Sequence, residues 1–216
     1  MSVVTLPLSP ATTDLTAQAS IETVELPHPV RWLVAIFLLG TTGCNGTAAY
    51  AASSFDANDE AWSLNGDAAA QVELRSVGGN PGGHICGKDS VNGDIWYFIA
   101  PPRFLGDASR TFGKRLTWDL KQDNMYQQLK GRDVVLQGNG LSLVFNIKAT
   151  PAKEWTAYEA RLDGESGWKF DDAAQPAATE EQVRQVLKAI TSLRLRGEFA
   201  DGPDSACLDN VFLGLE

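Results

Sequence analysis

The amino-acid sequence predicts an all-β protein: a β-sandwich of antiparallel strands with one short helix near residues 180–191. Three observations predict it. Short segments of alternating or wholly apolar character recur between turn signals, the spacing of a sandwich or barrel. The cluster Gln137-Gly138-Asn139-Gly140 joins two of these segments through Asn-Gly, a hairpin signal. Only the stretch opened by Thr179-Glu180-Glu181-Gln182 carries a helical period.

The elements follow in order. Val72 to Val77 is short and alternating. Ile95 to Ala100 is apolar on both faces, so it reads as a central strand covered on both sides. Pro101-Pro102 has no N–H to give to a ladder and must end that strand. Phe104 and Leu105 then pack a corner, and Gly106-Asp107 turns the chain. Arg115 to Lys121 returns with Leu116, Trp118 and Leu120 on one face. Asp133 to Leu136 and Leu141 to Lys148 form the hairpin, the latter with Leu141, Leu143, Phe145 and Ile147 inward. Trp155 to Leu162 alternates again. Thr179 caps the helix, with Gln182 reaching back to complete a capping box. Val183, Val186, Leu187 and Ile190 share one face, which lies over an open end or edge of the sandwich. Leu193 to Phe199 and Leu208 to Leu215 close the chain.

Composition bounds the partners. The 216 residues carry a formal net charge of -9, which gives no general attraction for phosphate backbones, so nucleic acid is excluded as a partner. Residues 1–51 read as an N-terminal extension and signal peptide, and 52–216 as the folded domain. The h-region is WLVAIFLLG, residues 32–40, preceded by Arg31 and too short to cross a bilayer. Ala49-Tyr50-Ala51 fits an A-x-A cleavage pattern. Met1 to Val30 holds Asp14, Glu22 and Glu25 and no Lys or Arg, so Val30 is an alternative start. Thr41-Thr42-Gly43-Cys44 resembles a lipobox, which makes Cys44 an alternative lipidation site and a lipid anchor the one route to a membrane. Either address is extracytoplasmic: secreted, in a periplasm or at a cell surface. Cys86 and Cys207 remain for the domain, as a disulfide or as two separate buried thiols. A bridge closing roughly 120 residues is worth about 3–5 kcal/mol in the chain-entropy model.

The stretches WYFIAPPRFLGDASRTFGKRLTWDL, DVVLQGNGLSLV, EEQVRQVLKAITSLRLRGEF and LDNVFL occur in that order. Together they resemble the laminin B domain, also called laminin domain IV, over roughly Phe55 to Leu215. The chain is similar to single-domain, secreted bacterial members. The resemblance implies a jelly-roll sandwich similar to carbohydrate-binding modules, and no catalysis. In laminins the domain sits among Cys-rich epidermal-growth-factor-like repeats, and here it stands without them.

Chemistry is sparse. His28 and His84 are the only histidines, His28 lies in the leader, and His84 reads as an ordinary loop or edge residue. G-x-S-x-G is absent. Asp56, Asp59 and Glu60 read as a solvated loop, and the Gly78–Gly83 run as a flexible turn without the Lys-Ser/Thr of a phosphate loop. The best site is a structural Ca²⁺ at Asp56 and Asp209, where similar sandwiches join their first and last strands. Strict alternation puts Asp209 on the side of Val211 and Leu213, where it needs a cation, with Arg75 or Lys88 as the alternative. Trp96, Trp118 and Trp155 read as core, and Tyr126 as the exposed aromatic for stacking a sugar. The function these readings give is a secreted, non-catalytic binding or adhesion module for an extracellular glycan or protein. A structural envelope domain and a glycan-active enzyme are the alternatives.

Overall fold

The computed structural model describes residues 49–68, 71–89, 93 and 95–216. The h-region, Cys44 and the alternative start lie outside the described residues.

The elements run β1 (Ala51–Ser53), β2 (Ser63–Asn65), β3 (Glu73–Arg75), β4 (His84–Lys88) and β5 (Tyr97–Ile99), then two single 3₁₀ turns, Pro102–Phe104 and Ser109–Thr111. There follow β6 (Arg115–Gln122), β7 (Val134–Gly138), β8 (Leu141–Phe145), β9 (Thr156–Arg161) and β10 (Lys169–Phe170). Helix α1 (Glu180–Leu187), β11 (Ile190–Arg196) and β12 (Ser205–Leu215) complete the chain. Among the described residues these strands form two six-stranded sheets. The first runs β3-β4-β12-β6-β9, with β1 also paired to β12, and the second runs β10-β8-β7-β11-β5-β2. Each pairing is antiparallel.

The inward residues fill the space between the sheets. Leu116, Trp118 and Leu120 of β6 face Phe98, Leu136, Leu143, Leu193 and Leu195 from the second sheet in one buried cluster. β5 is covered on both sides: Phe98 joins this core, and Tyr97 packs outward with Val135, Val144, Ile95 and Ile99. The Pro-Pro break acts as the sequence indicates, since a 3₁₀ turn starts at Pro102 and buries Phe104. The β7–β8 hairpin turns at Asn139 (φ 46°) and Gly140 (φ 75°), two positive values that suit Asn-Gly.

Helix α1 has the capping box, with the Thr179 side chain and the Gln182 side chain each bonded to the other's backbone. It buries Val183, Val186 and Leu187 and packs on β7 and β8. It is shorter than 180–191. Lys188 caps it, and Ile190 already belongs to β11, held by a two-way backbone bridge to Gly106. The expected boundary between residues 51 and 52 falls inside β1. Ala51 pairs with Leu213, and the Tyr50 N–H donates to the Leu213 carbonyl at 2.7 Å, so the sheet begins on the leader side of that boundary.

Candidate binding groove on the outer face of the first sheet

The site starts from one residue. In β12, Asn210 has φ 50° and the pairing to β6 shifts register between Asp209 and Phe212. This is a β-bulge: one extra residue that resets which face the following side chains take. Leu208, Val211 and Leu213 therefore all point into the core, while Asp209 and Phe212 point outward. The strict alternation expected for Leu208 to Leu215 fails here, and Asp209 does not share a side with Val211 and Leu213.

Asp209 is nevertheless fully buried, because the Gly-rich loop folds over it. The Asn80 N–H donates to Asp209 Oδ2 at 2.6 Å and the Asn210 N–H to Oδ1 at 2.7 Å. At the other end of the loop the Gly83 N–H donates to Asp56 Oδ1 at 3.2 Å, and the Ser54 hydroxyl to Oδ2 at 3.1 Å. Lys121 and the Trp155 indole both donate to the Gly78 carbonyl. The run is a fastened flap rather than a flexible turn. A side chain at Gly82, where φ is 87°, would meet Asp56 Oδ1 at 2.1 Å, which explains a glycine there.

Both oxygens of Asp209 and both of Asp56 accept hydrogen bonds from N–H or O–H donors. The buried Asp209 thus has the strong donors that its burial requires, and a Ca²⁺ is not needed to account for it. Arg75 is not the partner either, since it pairs with Glu73. Burial pushes the Asp209 carboxyl up to about 6, with Asp119 and Asp56 adding repulsion against the two backbone donors.

Beyond the flap lies an open surface depression of about 510 Å³, lined by Thr117, Asp119, Tyr158, Glu159, Asn210 and Phe212 among others. Register explains the set. Phe212 pairs with Thr117, Thr117 with Glu159, and Asp119 with both Asp209 and Ala157, so three strands contribute one patch. Asp119 is fixed by two amides: Asn80 Nδ2 at 3.1 Å and Asn210 Nδ2 at 2.8 Å both donate to its Oδ2.

The other site residues fall elsewhere. Tyr126 is 68% exposed on the loop after β6 and does not line the depression. Cys86 and Cys207 form a disulfide between directly opposed positions of β4 and β12. His84 is a buried strand residue rather than a loop or edge residue. Trp96 and Trp118 are core, whereas Trp155 is half-buried over His84 and Lys121. Sequence reasoning missed a second acidic group, Asp67, Asp89 and Glu198, gathered near Trp96. Burial, reinforced by Asp67, Asp204 and Asp89, lifts Glu198 to about 7 against the Trp96 N–H that holds it. Its members come from separate elements, so no local pattern announces it.

Comparison with known proteins decides the family. The model for laminin B (domain IV) matches residues 97–215, more than half of the chain. The chain belongs to the laminin B family. The matched laminin B region contains all six groove residues named above and Cys207, and leaves Cys86 and the Gly78–Gly83 flap on its N-terminal side. Human laminin subunit gamma-1 is 29% identical over 121 residues, which is 54% of this chain and 7% of that protein. Horse laminin subunit gamma-2 is 30% identical over 129 residues, 56% of this chain and 10% of that protein. The chain thus spans a tenth or less of these relatives. Among solved structures, CtCBM11 matches with TM-score 0.50 and 17% identity over 80% of this chain and 99% of that one. An exo-beta-agarase matches with TM-score 0.51 and 16% identity over 74% of this chain and 24% of that one. At such identities the likeness shows the fold, a jelly-roll sandwich of the kind carbohydrate-binding modules use. No helix among the described residues is long and apolar enough to cross a membrane.

Proposed function

We propose that this laminin B domain is a non-catalytic extracellular binding module, and that the groove on the outer face of its first sheet takes a glycan. The observation that carries the reading is the composition of the groove. Phe212 supplies a ring beside Asp119, Glu159, Asn210 and Thr117 in one open depression, whereas the Tyr158 ring stacks on Trp118 on the core side. A sugar presents an apolar C–H face and an edge of paired hydroxyls. The Phe212 ring accepts the first, and the carboxylates and amides accept the second. The two amides on Asp119 hold it ready before any ligand arrives. They also pin it as an acceptor, whereas a glycosidase needs one carboxyl of its pair to present a proton.

A glycan array, followed by titration calorimetry on the best hit, tests this. Wild type binds, Phe212→Ala and Glu159→Gln lose roughly tenfold or more in affinity, and Tyr126→Ala binds as wild type. The bound glycan is recovered intact after long incubation. Loss confined to Tyr126→Ala moves the site to that loop. Binding only to immobilised matrix protein replaces glycan with protein as the partner. Cleavage of the bound glycan overturns the non-catalytic reading.

A further inference from the structure

We propose that His84, Cys86 and Cys207 form a site for a soft divalent metal, Zn²⁺ by preference, which opens when the Cys86–Cys207 disulfide is reduced. It is separate from the glycan reading and stands without it. The geometry comes from register. His84 and Cys86 are two apart on β4 and so share a face, and Cys207 lies directly opposite Cys86 on β12. The His84 nitrogens and the two sulfurs offer three ligand atoms within 4.8 Å of one another, all buried. A tetrahedral Zn²⁺ needs its nitrogen and sulfur ligands roughly 3.5–4 Å apart. Three protein ligands plus a water in the fourth position is a common open zinc arrangement.

His84 supplies the independent observation. It is 2% exposed, yet neither ring nitrogen has a hydrogen-bond partner. Buried imidazoles ordinarily satisfy at least one nitrogen. The ring packs nearly perpendicular to Trp155 at 5.3 Å between centroids, and neither nitrogen finds a hydrogen-bond partner there. Burial, with Lys121 and Arg75 nearby and Glu73 opposing them, pushes the imidazole down to about 4. Coordination uses a ring nitrogen's lone pair, and both nitrogens of this buried ring are unclaimed by other partners.

The chemistry balances with a dithiol as reductant. Two electrons from the dithiol break the S–S bond, two protons give Cys86 and Cys207 thiols, and the dithiol becomes a cyclic disulfide. Metal binding then releases those two protons as the sulfurs coordinate as thiolates. While the disulfide is closed both sulfurs are spent on each other, so the site is gated by redox state.

The test uses the full chain carrying Cys44→Ser in every arm, which removes the remaining thiol. Co²⁺ is titrated into oxidised protein and into protein reduced with a phosphine, which adds no competing thiol. Reduced protein should bind one equivalent with sulfur-to-cobalt charge-transfer absorption and tetrahedral d–d bands, displaced by Zn²⁺ with no bands remaining. Oxidised protein should show neither. His84→Ala in the reduced state should bind at least about tenfold more weakly and lose tetrahedral intensity, a loss at least the size seen when a mere ligand-supporting group is removed. If the reduced apo chain unfolds, Zn²⁺ should restore its circular dichroism in wild type and not in His84→Ala. Binding that ignores the redox state, absence of binding on reduction, failure of Zn²⁺ to restore an unfolded chain, or a His84→Ala spectrum identical to wild type each overturns the proposal.

Discussion

Asn210 decides the chemistry of the outer face. By taking φ 50° it adds one residue to β12, so that Val211 and Leu213 turn into the core while Asp209 stays outward under the flap. Asp209 then exists to hold backbone donors at Asn80 and Asn210. Asp209→Ala removes the acceptor of two part-buried donors, so it should cost roughly 1–3 kcal/mol in urea unfolding and speed hydrogen exchange at the Asn80 amide. If the carboxylate were buried for a cation instead, chelator on wild type would reproduce both effects. A second prediction concerns Glu198. Its carboxyl is raised from 4.5 to about 7, so the folded state favours its protonated form. Its contribution is complete below pH 4.5 and is lost as pH rises through about 7. His84 runs the other way: its contribution is present above 6.5 and lost as pH falls through about 4. Melting curves from pH 4 to pH 8 should therefore show Glu198→Gln gaining on wild type as pH rises. Parallel curves would refute the assignment. Strict alternation buries Asp209 by pointing it inward beside Val211 and Leu213; it points outward and is covered by the loop instead. Alternation assumes a strand without a bulge, and the Asn-Val pair after it reads equally well as regular strand.

At the scale of elements, long amphipathic patterns were readable, and of the three-residue strands only β3 and β5 were, β5 because Pro101-Pro102 marks its end. β6 shows three inward side chains at period two, and α1 carries its own start signal in Thr179 and Gln182. β1 hides beside the apolar leader, and β2 and β10 have three and two residues, too few for any period. β4 reads as His-Ile-Cys-Gly-Lys after a glycine run, which looks like more turn. Its Gly87 is there for packing. A side chain at Gly87 would meet the Trp96 ring at 2.5 Å, and one at Gly197 would meet it at 1.9 Å. The indole is thus clamped between a strand of the first sheet and the segment leaving β11 in the second, with its Nε1–H donated to Asp204 at 3.1 Å. Gly197→Ala must displace a fully buried Trp and should cost roughly 1–3 kcal/mol, as overpacking does. Denaturant midpoints, with Trp fluorescence as the probe, check this. An unchanged midpoint would mean that Trp96 has room to move.

For the whole molecule, the two-layer sandwich follows from where apolar side chains recur, whereas the family was legible only from the ordered stretches WYFIAPPRFLGDASRTFGKRLTWDL, DVVLQGNGLSLV, EEQVRQVLKAITSLRLRGEF and LDNVFL. The groove is a different kind of object. It needs β6, β9 and β12 side by side, an order set by topology rather than by any local stretch, and its residues look like ordinary outward positions when read singly. Exposure of Tyr126 was legible, since it stands in a polar loop, but exposure alone does not gather partners around a ring. The jelly-roll presents two outer faces, and the account assigns binding to the one that carries the bulge and the flap. The most direct test is backbone amide chemical-shift mapping of the isotopically labelled protein titrated with the best glycan from the array. The account predicts shifts concentrated at Thr117, Asp119, Glu159, Asn210 and Phe212, saturating together. Shifts centred on Tyr126, spread over the second sheet, or absent with every glycan tried would contradict it.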